Sequence, residues 1–342
     1  MNVGVIGGGG WGTALSIALE SRAHSVRLWV YERDLMEEMT RTRRNARFLP
    51  DVSIPDRISL TSSLGEVGHG ADTLLFVTPS HALRSTAVRL REEARDALDR
   101  IEWVTVATKG LEPQTLLRMS EVLASVLPAR LADRIVVLVG PSHAEEVARR
   151  VPTLIVAAAR DLGLAARAQE TYGTEWLRIY TNDDVIGVEI GVALKNVIAI
   201  AAGIGDGLGF GDSTKAALIT RGLVEMNRLA RKLGAKPETL SGLAGMGDLI
   251  ATATSRHSRN RRLGEAIGRG ATLADALASS PMVVEGVGTA EAALALARKH
   301  QVELPIVEQV HAILHEGKSA RVALRELLNR DLKAEAEPLS RR

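Results

Sequence analysis

Short apolar runs alternate with longer polar or amphipathic stretches through about the first half of the chain. The runs are five or six residues long and rich in Val, Ile and Leu, which is typical of strands buried inside a parallel sheet. Strands are predicted over 2–6, 26–30, 73–78, 103–108 and 135–139. A helix is predicted over 11–22, and segments of helical length separate the other strands. This alternation predicts a doubly wound parallel sheet.

The pattern changes near Asn182. Two more runs, 153–158 and 176–180, are predicted to add strands at the edge of the sheet. Beyond them, Ala, Leu and Gly recur at helical spacing. The clearest amphipathic helices are predicted over 286–299, 305–315 and 319–330.

We therefore predict an α/β protein with two domains. An N-terminal doubly wound, Rossmann-type sheet domain is expected at 1–182, and an all-helical domain at 183–331. The remaining residues, 332–342, are predicted to be a frayed polar tail.

Composition excludes several classes of function. The chain has 342 residues, a net charge of +2, 3% aromatic residues and no cysteine. Its basic residues form no single large block, so nucleic acid is not expected as a partner. Without cysteine there are no disulfides or thiolate zinc sites, and we expect no metal. There is no basic leader and no uncharged apolar span of about 18 residues, so we expect a cytoplasmic protein without membrane insertion.

The glycine-rich stretch VIGGGGWGTAL directly follows the first predicted strand and opens a helix. Gly7, Gly9 and Gly12 fit the pattern G-x-G-x-x-G in the context that dinucleotide binding requires. The helix N-terminus offers unpaired N–H groups to a pyrophosphate. A plain glycine-rich turn is the alternative.

The second strand ends in WVYERD. At this position NAD enzymes usually carry an acid and NADP enzymes an arginine. Glu32 and Arg33 offer both, so the preference stays open with NADPH slightly favoured, and either residue could equally be a solvated loop charge.

Lysine is rare in this chain and is placed unusually. Only eight of the 43 cationic residues are lysines, and the first 200 residues contain two, Lys109 and Lys195. Lys195 lies within the apolar stretch VEIGVALKNVIAIAAG, residues 188–203. A desolvated lysine can approach a neutral pKa and exchange a proton, which arginine cannot do. Composition alone leaves incidental placement equally open.

Lys109 follows a core strand in VATKGLEP, at the sheet edge where open α/β sheets bind ligands. In LVGPSHAEE, Gly140 begins a turn, and Ser142 or His143 is predicted to cap a helix. The structural alternative for Ser142 is a capping box with Glu145.

The stretch GMGDLIATATSRHSRNRRLG contains a turn, an acid and a basic cluster. Asp248 is predicted to begin a helix, and Ser258, Arg259 and Asn260 to open the next one. A helix N-terminus beside a guanidinium suits a phosphate monoester. The alternative is a solvated basic helix face.

Together these motifs resemble the bacterial NAD(P)-dependent glycerol-3-phosphate dehydrogenase family over roughly residues 1–330. The matching stretches are GGGGWGTAL, ATKGLE, GPSHAEE, VALKNVIAIAAGIGDGLGFGDSTKAALITRG, GMGDL, SRNRR and VVEG. The sequence departs from relatives at Gly10, where many carry serine or alanine, and at Trp11, where tyrosine or phenylalanine is common. Neither change removes a backbone donor.

The resemblance implies interconversion of sn-glycerol 3-phosphate and dihydroxyacetone phosphate, mainly to supply glycerol 3-phosphate for phospholipid synthesis, by a homodimer. It implies that Lys195 exchanges the proton, that Asp248 holds it and that Lys109 also touches substrate. The other implied substrate contacts are Gly140, Ser142, Ser258, Arg259 and Asn260. Asn196, next to Lys195, is a further candidate to bind a substrate hydroxyl. The implied cofactor contacts, added to the glycines and Arg33, are Gly10, Trp11, Tyr31, Lys109, Ala144, Arg259, Val283 and Glu285.

Two alternatives remain at this point. A dehydrogenase for another hydroxy acid or sugar acid would share the glycine loop and the helix lysine but would not need the SRN cluster. A non-catalytic nucleotide sensor would have no need of Lys109, Lys195 and Asp248 together.

Overall fold

A computed structural model describes residues 1–278, 282–332 and 334–335. Its strands are β1 (Asn2–Ile6), β2 (Ser25–Trp29), β3 (Arg44–Asn45), β4 (Leu49–Ser53), β5 (Ser59–Thr61), β6 (Thr73–Phe76), β7 (Trp103–Val106), β8 (Ile135–Val139), β9 (Thr153–Ala158) and β10 (Leu177–Asn182). The seven predicted strands are confirmed to within two residues at each end, whereas the short strands β3, β4 and β5 were not predicted.

The helices of the sheet-containing half are α1 (Gly10–Ser21), α2 (Arg33–Thr42), α3 (Leu64–His69), α4 (Ser80–Glu93), α5 (Met119–Val126), α6 (Ala129–Ala132), α7 (Ala144–Ala148) and α8 (Leu162–Tyr172). Those that follow are α9 (Val185–Gly207), α10 (Asp212–Lys232), α11 (Asp248–Thr254), α12 (Arg259–Gly268), α13 (Leu273–Ala278), α14 (Glu285–Lys299), α15 (Pro305–His315) and α16 (Ala320–Leu328). The three amphipathic helices predicted near the C-terminus correspond to α14, α15 and α16.

Eight strands form one sheet in the order β10-β9-β8-β7-β6-β1-β2-β5. Neighbouring strands are parallel except β8 and β9, which pair antiparallel. The parallel prediction is therefore wrong at this one junction. The connection from β8 to β9 contains only the five-residue helix α7, which is too short to cover the sheet as a crossover helix does. β3 and β4 form a separate antiparallel pair.

Both faces of the sheet are buried, which explains the nearly continuous apolar strands. Val3 and Val5 of β1 belong to the apolar cluster on one face, together with α1 and α8 residues. Phe76 of β6 and Val104 of β7 belong to the cluster on the other face. This packing holds the strands rigidly, so that the loops at their ends are placed accurately.

Helix α9 is the centre of the C-terminal half. It packs against α10, α11, α12, α14 and α15, so its residues are buried nearly all round. By length and composition alone it could cross a membrane, but 83% of its apolar window is buried inside the protein. That burial explains why a globular core helix is so apolar.

Close approach of α9 and α12 depends on small residues in both helices. A Cβ built on Gly203 of α9 would lie 1.9 Å from the Arg261 carbonyl oxygen. One built on Gly264 of α12 would lie 2.0 Å from the Ile200 carbonyl oxygen. Any larger residue would push the helices apart. The pair of glycines therefore brings the start of α12 beside the middle of α9, where Lys195 lies.

The division into domains stays a proposal. We propose 1–182 and 183–331 because the sheet ends at Asn182 and the helices from Val185 onward surround α9. Most of the predicted tail, 332–342, lies outside the described residues.

Candidate functional site

Five parallel strands present their carboxyl ends at one edge of the sheet, and loops that follow them contact the helical half. The glycine loop follows β1, and Tyr31 and Arg33 follow β2. Ser80 follows β6, Lys109 follows β7 and Gly140 follows β8. The parallel register thus collects residues from distant parts of the sequence at a ligand-binding edge.

The glycine loop has the geometry that a dinucleotide pyrophosphate requires. Gly7 has φ of +131°, a conformation that side chains rarely adopt. A Cβ on Gly12 would lie 1.9 Å from the Gly7 carbonyl oxygen, so only glycine allows α1 to pack against β1. A Cβ on Gly9 would meet nothing within 4 Å, which leaves open space in front of the α1 N-terminus. These residues therefore fit a dinucleotide.

Two of the predicted cofactor contacts border this loop. A Cβ built on Gly10 would lie 3.5 Å from the Ala144 Cβ and 2.8 Å from the Phe48 carbonyl oxygen. Ala144 is thus brought to the start of α1 although 134 residues separate it from Gly10. Trp11 is half-buried against the apolar cluster beneath α1. Phe48 and its turn were not predicted at this position.

The end of β2 offers an exposed aromatic ring and a paired set of charges. Tyr31 is 69% exposed and packs edge-on against Trp29, with ring centroids 5.9 Å apart. Arg33 begins α2 and forms an exposed ion pair of 3.1 Å with Glu37. Glu32 lies 3.7 Å from Arg47. Because both predicted charges have partners, the geometry leaves the choice between NAD and NADP open.

Lys195 lies in the middle of α9 with only 4% of its surface exposed. Its ammonium Nζ lies 2.8 Å from Asp248 Oδ1 and donates a hydrogen bond of 2.6 Å to Thr252 Oγ1. An ammonium group has three donors. Within the described residues the third donor has no partner.

Lys109 reaches the same carboxylate from the sheet-containing half of the molecule. Its Nζ lies 2.8 Å from Asp248 Oδ2 and donates a hydrogen bond of 2.9 Å to the Gly140 carbonyl oxygen. Asp248 is 2% exposed. The family resemblance implied that Asp248 holds Lys195, and the two side chains lie in contact. It also shows that Asp248 bridges both lysines, which was not predicted.

The electrostatics of this Lys109–Asp248–Lys195 cluster follow from its burial. Desolvation lowers the pKa of Lys195 to about 7 although Asp248 opposes the shift. Burial alone would raise the pKa of the Asp248 carboxyl, but the two ammonium groups outweigh it and the pKa is lowered. Asp248 therefore stays ionised at neutral pH, while Lys195 can gain or lose a proton there.

The start of α12 lies next to this cluster. Ser258 caps the helix by accepting a hydrogen bond of 3.2 Å from the Arg261 N–H. Asn260 donates a hydrogen bond of 3.0 Å from Nδ2 to Asn196 Oδ1. Arg259 is half-buried, and desolvation lowers its pKa. A helix N-terminus, a guanidinium and two amides are thus gathered within one small region.

Val283 lies two residues before α14, and Glu285 is the first residue of that helix. The Val283 carbonyl oxygen accepts a hydrogen bond of 2.8 Å from Arg259 Nη1. Glu285 accepts hydrogen bonds from the backbone N–H of Ser80, at 3.2 Å, and from the Ser80 hydroxyl. Both predicted cofactor residues therefore lie where the helical half contacts the loop after β6 and the start of α12. The contact of Glu285 with Ser80 was not predicted.

Of the two residues predicted to cap this helix, His143 lies at the N-cap position of α7, and the structural alternative for Ser142 is not found. Ser142 forms no capping box, because its hydroxyl donates to the Gly140 carbonyl oxygen at 3.2 Å and α7 begins only at Ala144. His143 occupies the N-cap position without a capping side-chain bond. Burial lowers the pKa of His143, and its ring centroid lies 5.8 Å from that of His257.

The turn predicted before Asp248 is a π-helical turn, Leu243–Gly247, that runs directly into α11. Asp248 begins α11 as predicted. Thr252, one helical turn later, was missed. Its position four residues after Asp248 was a usable signal, because residues i and i+4 share a helix face.

Comparisons with known proteins agree with this geometry. Residues 2–165 match the model of the NAD-dependent glycerol-3-phosphate dehydrogenase N-terminus, and residues 184–325 match that of the C-terminus. A glycerol-3-phosphate dehydrogenase [NAD(P)+] of Geobacter sulfurreducens is 51% identical over 97% of this chain and 98% of its own. One from Koribacter versatilis is 48% identical over 96% of this chain and 97% of its own.

A solved structure shows the same fold. The crystal structure of glycerol-3-phosphate dehydrogenase from Coxiella burnetii superposes with a TM-score of 0.88 and 38% identity, covering 96% of this chain and 99% of that one. The two family models together account for both halves of the chain, which neither alternative from the sequence explains. The chain belongs to the NAD-dependent glycerol-3-phosphate dehydrogenase family.

Proposed function

We propose that this chain interconverts sn-glycerol 3-phosphate and dihydroxyacetone phosphate with NAD(P), and that Lys195 exchanges the proton. The observation that carries the assignment to Lys195 is its buried ammonium, held by Asp248 and Thr252 with one donor left over. Its pKa of about 7 allows both protonation states near neutral pH. A group that must donate a proton in one direction and accept it in the other needs that property.

In the reductive direction, the Lys195 ammonium donates its remaining hydrogen bond to the C2 carbonyl oxygen of the substrate. As negative charge develops on that oxygen, the ammonium stabilises it and then transfers its proton. Asp248 stays ionised and orients Lys195, while Lys109 adds a second positive charge beside the substrate. In the oxidative direction, the neutral amine removes the proton from the C2 hydroxyl.

The substrate phosphate is assigned to the start of α12. Ser258, Arg259 and Asn260 there combine helix N–H groups, a guanidinium and an amide. Asn196 lies beside Asn260, and within the described residues its Nδ2 makes no hydrogen bond, which suits a substrate hydroxyl. Gly140 and Ser142 are assigned to the substrate as well. The Gly140 carbonyl oxygen accepts hydrogen bonds from both Lys109 and Ser142, which keeps these residues beside Lys109.

A bound nicotinamide dinucleotide supplies or accepts the hydride. The glycine loop, with Gly10, Trp11 and Ala144, would hold its pyrophosphate, and Tyr31 and Arg33 would face its adenosine. Arg33 is exposed and can turn from Glu37 to a 2′-phosphate, which favours NADPH slightly. Lys109, Arg259, Val283 and Glu285 are assigned to its nicotinamide end.

The assay is the loss of NADPH or NADH absorbance with dihydroxyacetone phosphate, and the reverse reaction with glycerol 3-phosphate, between pH 5.5 and about 9. Because reduction uses the ammonium form, its kcat/KM should fall as the pH rises through about 7. Oxidation uses the amine and should rise over the same range. Profiles that move in the same direction would contradict a single exchanging lysine, and no turnover would overturn the function.

Arg259→Ala tests the phosphate assignment. Loss of a charge-assisted hydrogen bond, about 1.5–3 kcal/mol, should raise the KM for dihydroxyacetone phosphate about 10–150-fold. The KM for phosphate-free dihydroxyacetone, a poor substrate, should change far less. Arg262→Ala on the exposed side of α12 is the matched control. Equal losses on both substrates would place the phosphate elsewhere.

The physiological setting is also a proposal. We propose that the protein supplies glycerol 3-phosphate for phospholipid synthesis. We also propose that it does so in the cytoplasm, as a homodimer without membrane insertion. Sedimentation of the purified protein tests the dimer.

A further inference from the structure

The first turn of α14 is connected to both halves of the molecule. On one side, Val283 accepts a hydrogen bond of 2.8 Å from Arg259, and the Gly286 N–H donates one of 2.9 Å to Asn260 Oδ1. On the other side, Glu285 accepts two hydrogen bonds from Ser80, in the loop that follows β6. The residues assigned to the substrate phosphate are therefore one turn of helix away from the nucleotide-binding half.

The packing leaves this turn little freedom. A Cβ built on Gly286 would lie 2.6 Å from Asn260 Oδ1 and 2.9 Å from the Asn196 carbonyl oxygen, so α14 is fixed against α12 and α9. The Glu285 carboxylate also lies close enough to Arg259 to oppose the lowering of its pKa by burial. A shift of Arg259 or Asn260 would consequently move Glu285.

The loop that Glu285 contacts is in turn fixed to the glycine motif. A Cβ on Gly7 would lie 2.8 Å from the Val77 carbonyl oxygen, so the segment after β6 packs directly against the first glycine. Ser80 begins α4 three residues later. A continuous path of contacts thus runs from the start of α12, through Glu285 and Ser80, to the glycine loop.

We propose that Ser80 is a positioning residue that, through Glu285, couples binding of the substrate phosphate to binding of the dinucleotide. Because Arg259 and Asn260 hydrogen-bond to the residues on either side of Glu285, the position of its carboxylate opposite Ser80 depends on the position of the α12 start. Phosphate binding at α12 therefore favours the arrangement that binds the dinucleotide tightly, and the reverse holds by linkage. This inference rests on the proposed function.

The experiment measures the Kd of NADPH by fluorescence, without and with saturating glycerol 3-phosphate. The two ligands are both reduced and cannot react with each other, so the measurement is at equilibrium. In the wild-type protein glycerol 3-phosphate should tighten NADPH binding by about tenfold or more, within the usual range of coupling between sites. In Ser80→Ala the tightening should fall below about threefold, because a hydrogen bond to a charged group is lost.

Without glycerol 3-phosphate, the Kd of Ser80→Ala for NADPH should stay within about twofold of the wild-type value. General damage to the fold would not produce that result. Ser85→Ala is the matched control, since Ser85 lies on the same helix and, among the described residues, its hydroxyl donates only to the Ala82 carbonyl oxygen. In a double-mutant cycle, adding Glu285→Ala to Ser80→Ala should not further reduce the tightening of NADPH binding by glycerol 3-phosphate.

The possible failures can be told apart. If the wild-type protein turns over substrate but glycerol 3-phosphate does not tighten NADPH binding, the coupling is absent and the inference is overturned. Unchanged tightening in Ser80→Ala, or additive losses in the cycle, would overturn it as well. Absence of turnover in the wild-type protein would instead overturn the proposed function.

Discussion

Lys195→Met should lower single-turnover hydride transfer by roughly 10²–10⁴-fold, the usual share of general acid–base catalysis. Methionine keeps most of the apolar stem, which lies among buried α9 residues, so the fold should survive. The Kd for NADPH should change little, because the glycine loop lies in the other half of the molecule. Stopped-flow absorbance and a cofactor titration of the same protein give both values.

Lys195→Arg distinguishes proton transfer from electrostatic support. A guanidinium keeps the positive charge beside Asp248 but does not release its proton in a protein. The rate should therefore not be rescued, and no pH dependence near 7 should remain. If Lys195→Arg reduced substrate at nearly the wild-type rate, Lys195 would only be an anchor for charge and another group would supply the proton.

The fold was predictable from sequence because buried strands and amphipathic helices have simple periodicities. The runs around Val5, Val104 and Val137 are apolar on both faces, as a doubly covered sheet requires. The reversed strand β9 was not predictable from its own residues, because parallel and antiparallel edge strands share the same composition. The short connection through α7 was the available signal.

The candidate site was predictable in its members but not in its contacts. Lys195 was noticeable because a charge in an apolar stretch requires a partner. Local pattern could not show that Lys109 and Lys195 share the two oxygens of Asp248, since 139 residues separate Lys109 from that carboxylate. Ser80 carries no local signal at all, because the residue that it contacts, Glu285, lies 205 positions away.

Lys109 and Lys195 share the Asp248 carboxylate, and this arrangement affects the pKa of Lys195. A buried ammonium without a partner would lose its proton at neutral pH, as desolvation disfavours the charged form. Asp248 opposes that effect at Lys195, and the remaining balance leaves the pKa at about 7. In the proposed mechanism the carboxylate would therefore orient Lys195 and also raise the pH range over which that lysine keeps its proton.

Asp248→Asn should move the pH profile of reduction toward acid by about 1–3 pH units, because removal of an opposite charge within hydrogen-bond distance lowers the pKa of Lys195 further. Lys109 would remain and would add repulsion from the other side. At pH 7.5 the ammonium form of Lys195 would be nearly absent, so kcat/KM for dihydroxyacetone phosphate should fall about 10–10³-fold. Much of this loss should be recovered on lowering the pH.

The recovery at acid pH is the decisive part of the Asp248→Asn experiment. Asparagine has nearly the shape of aspartate and can still accept a hydrogen bond from Lys195, so a mainly steric defect should be small. Asp248→Glu is the matched control, since it keeps the charge and should keep the wild-type profile at a reduced rate. The measurement is kcat/KM from pH 5 to about 8, with thermal unfolding at each pH to confirm that the protein stays folded. A rate that is low but has the wild-type pH profile would mean that Asp248 only positions Lys195. A pH profile displaced toward acid would instead mean that the negative charge of Asp248 keeps Lys195 protonated near neutral pH.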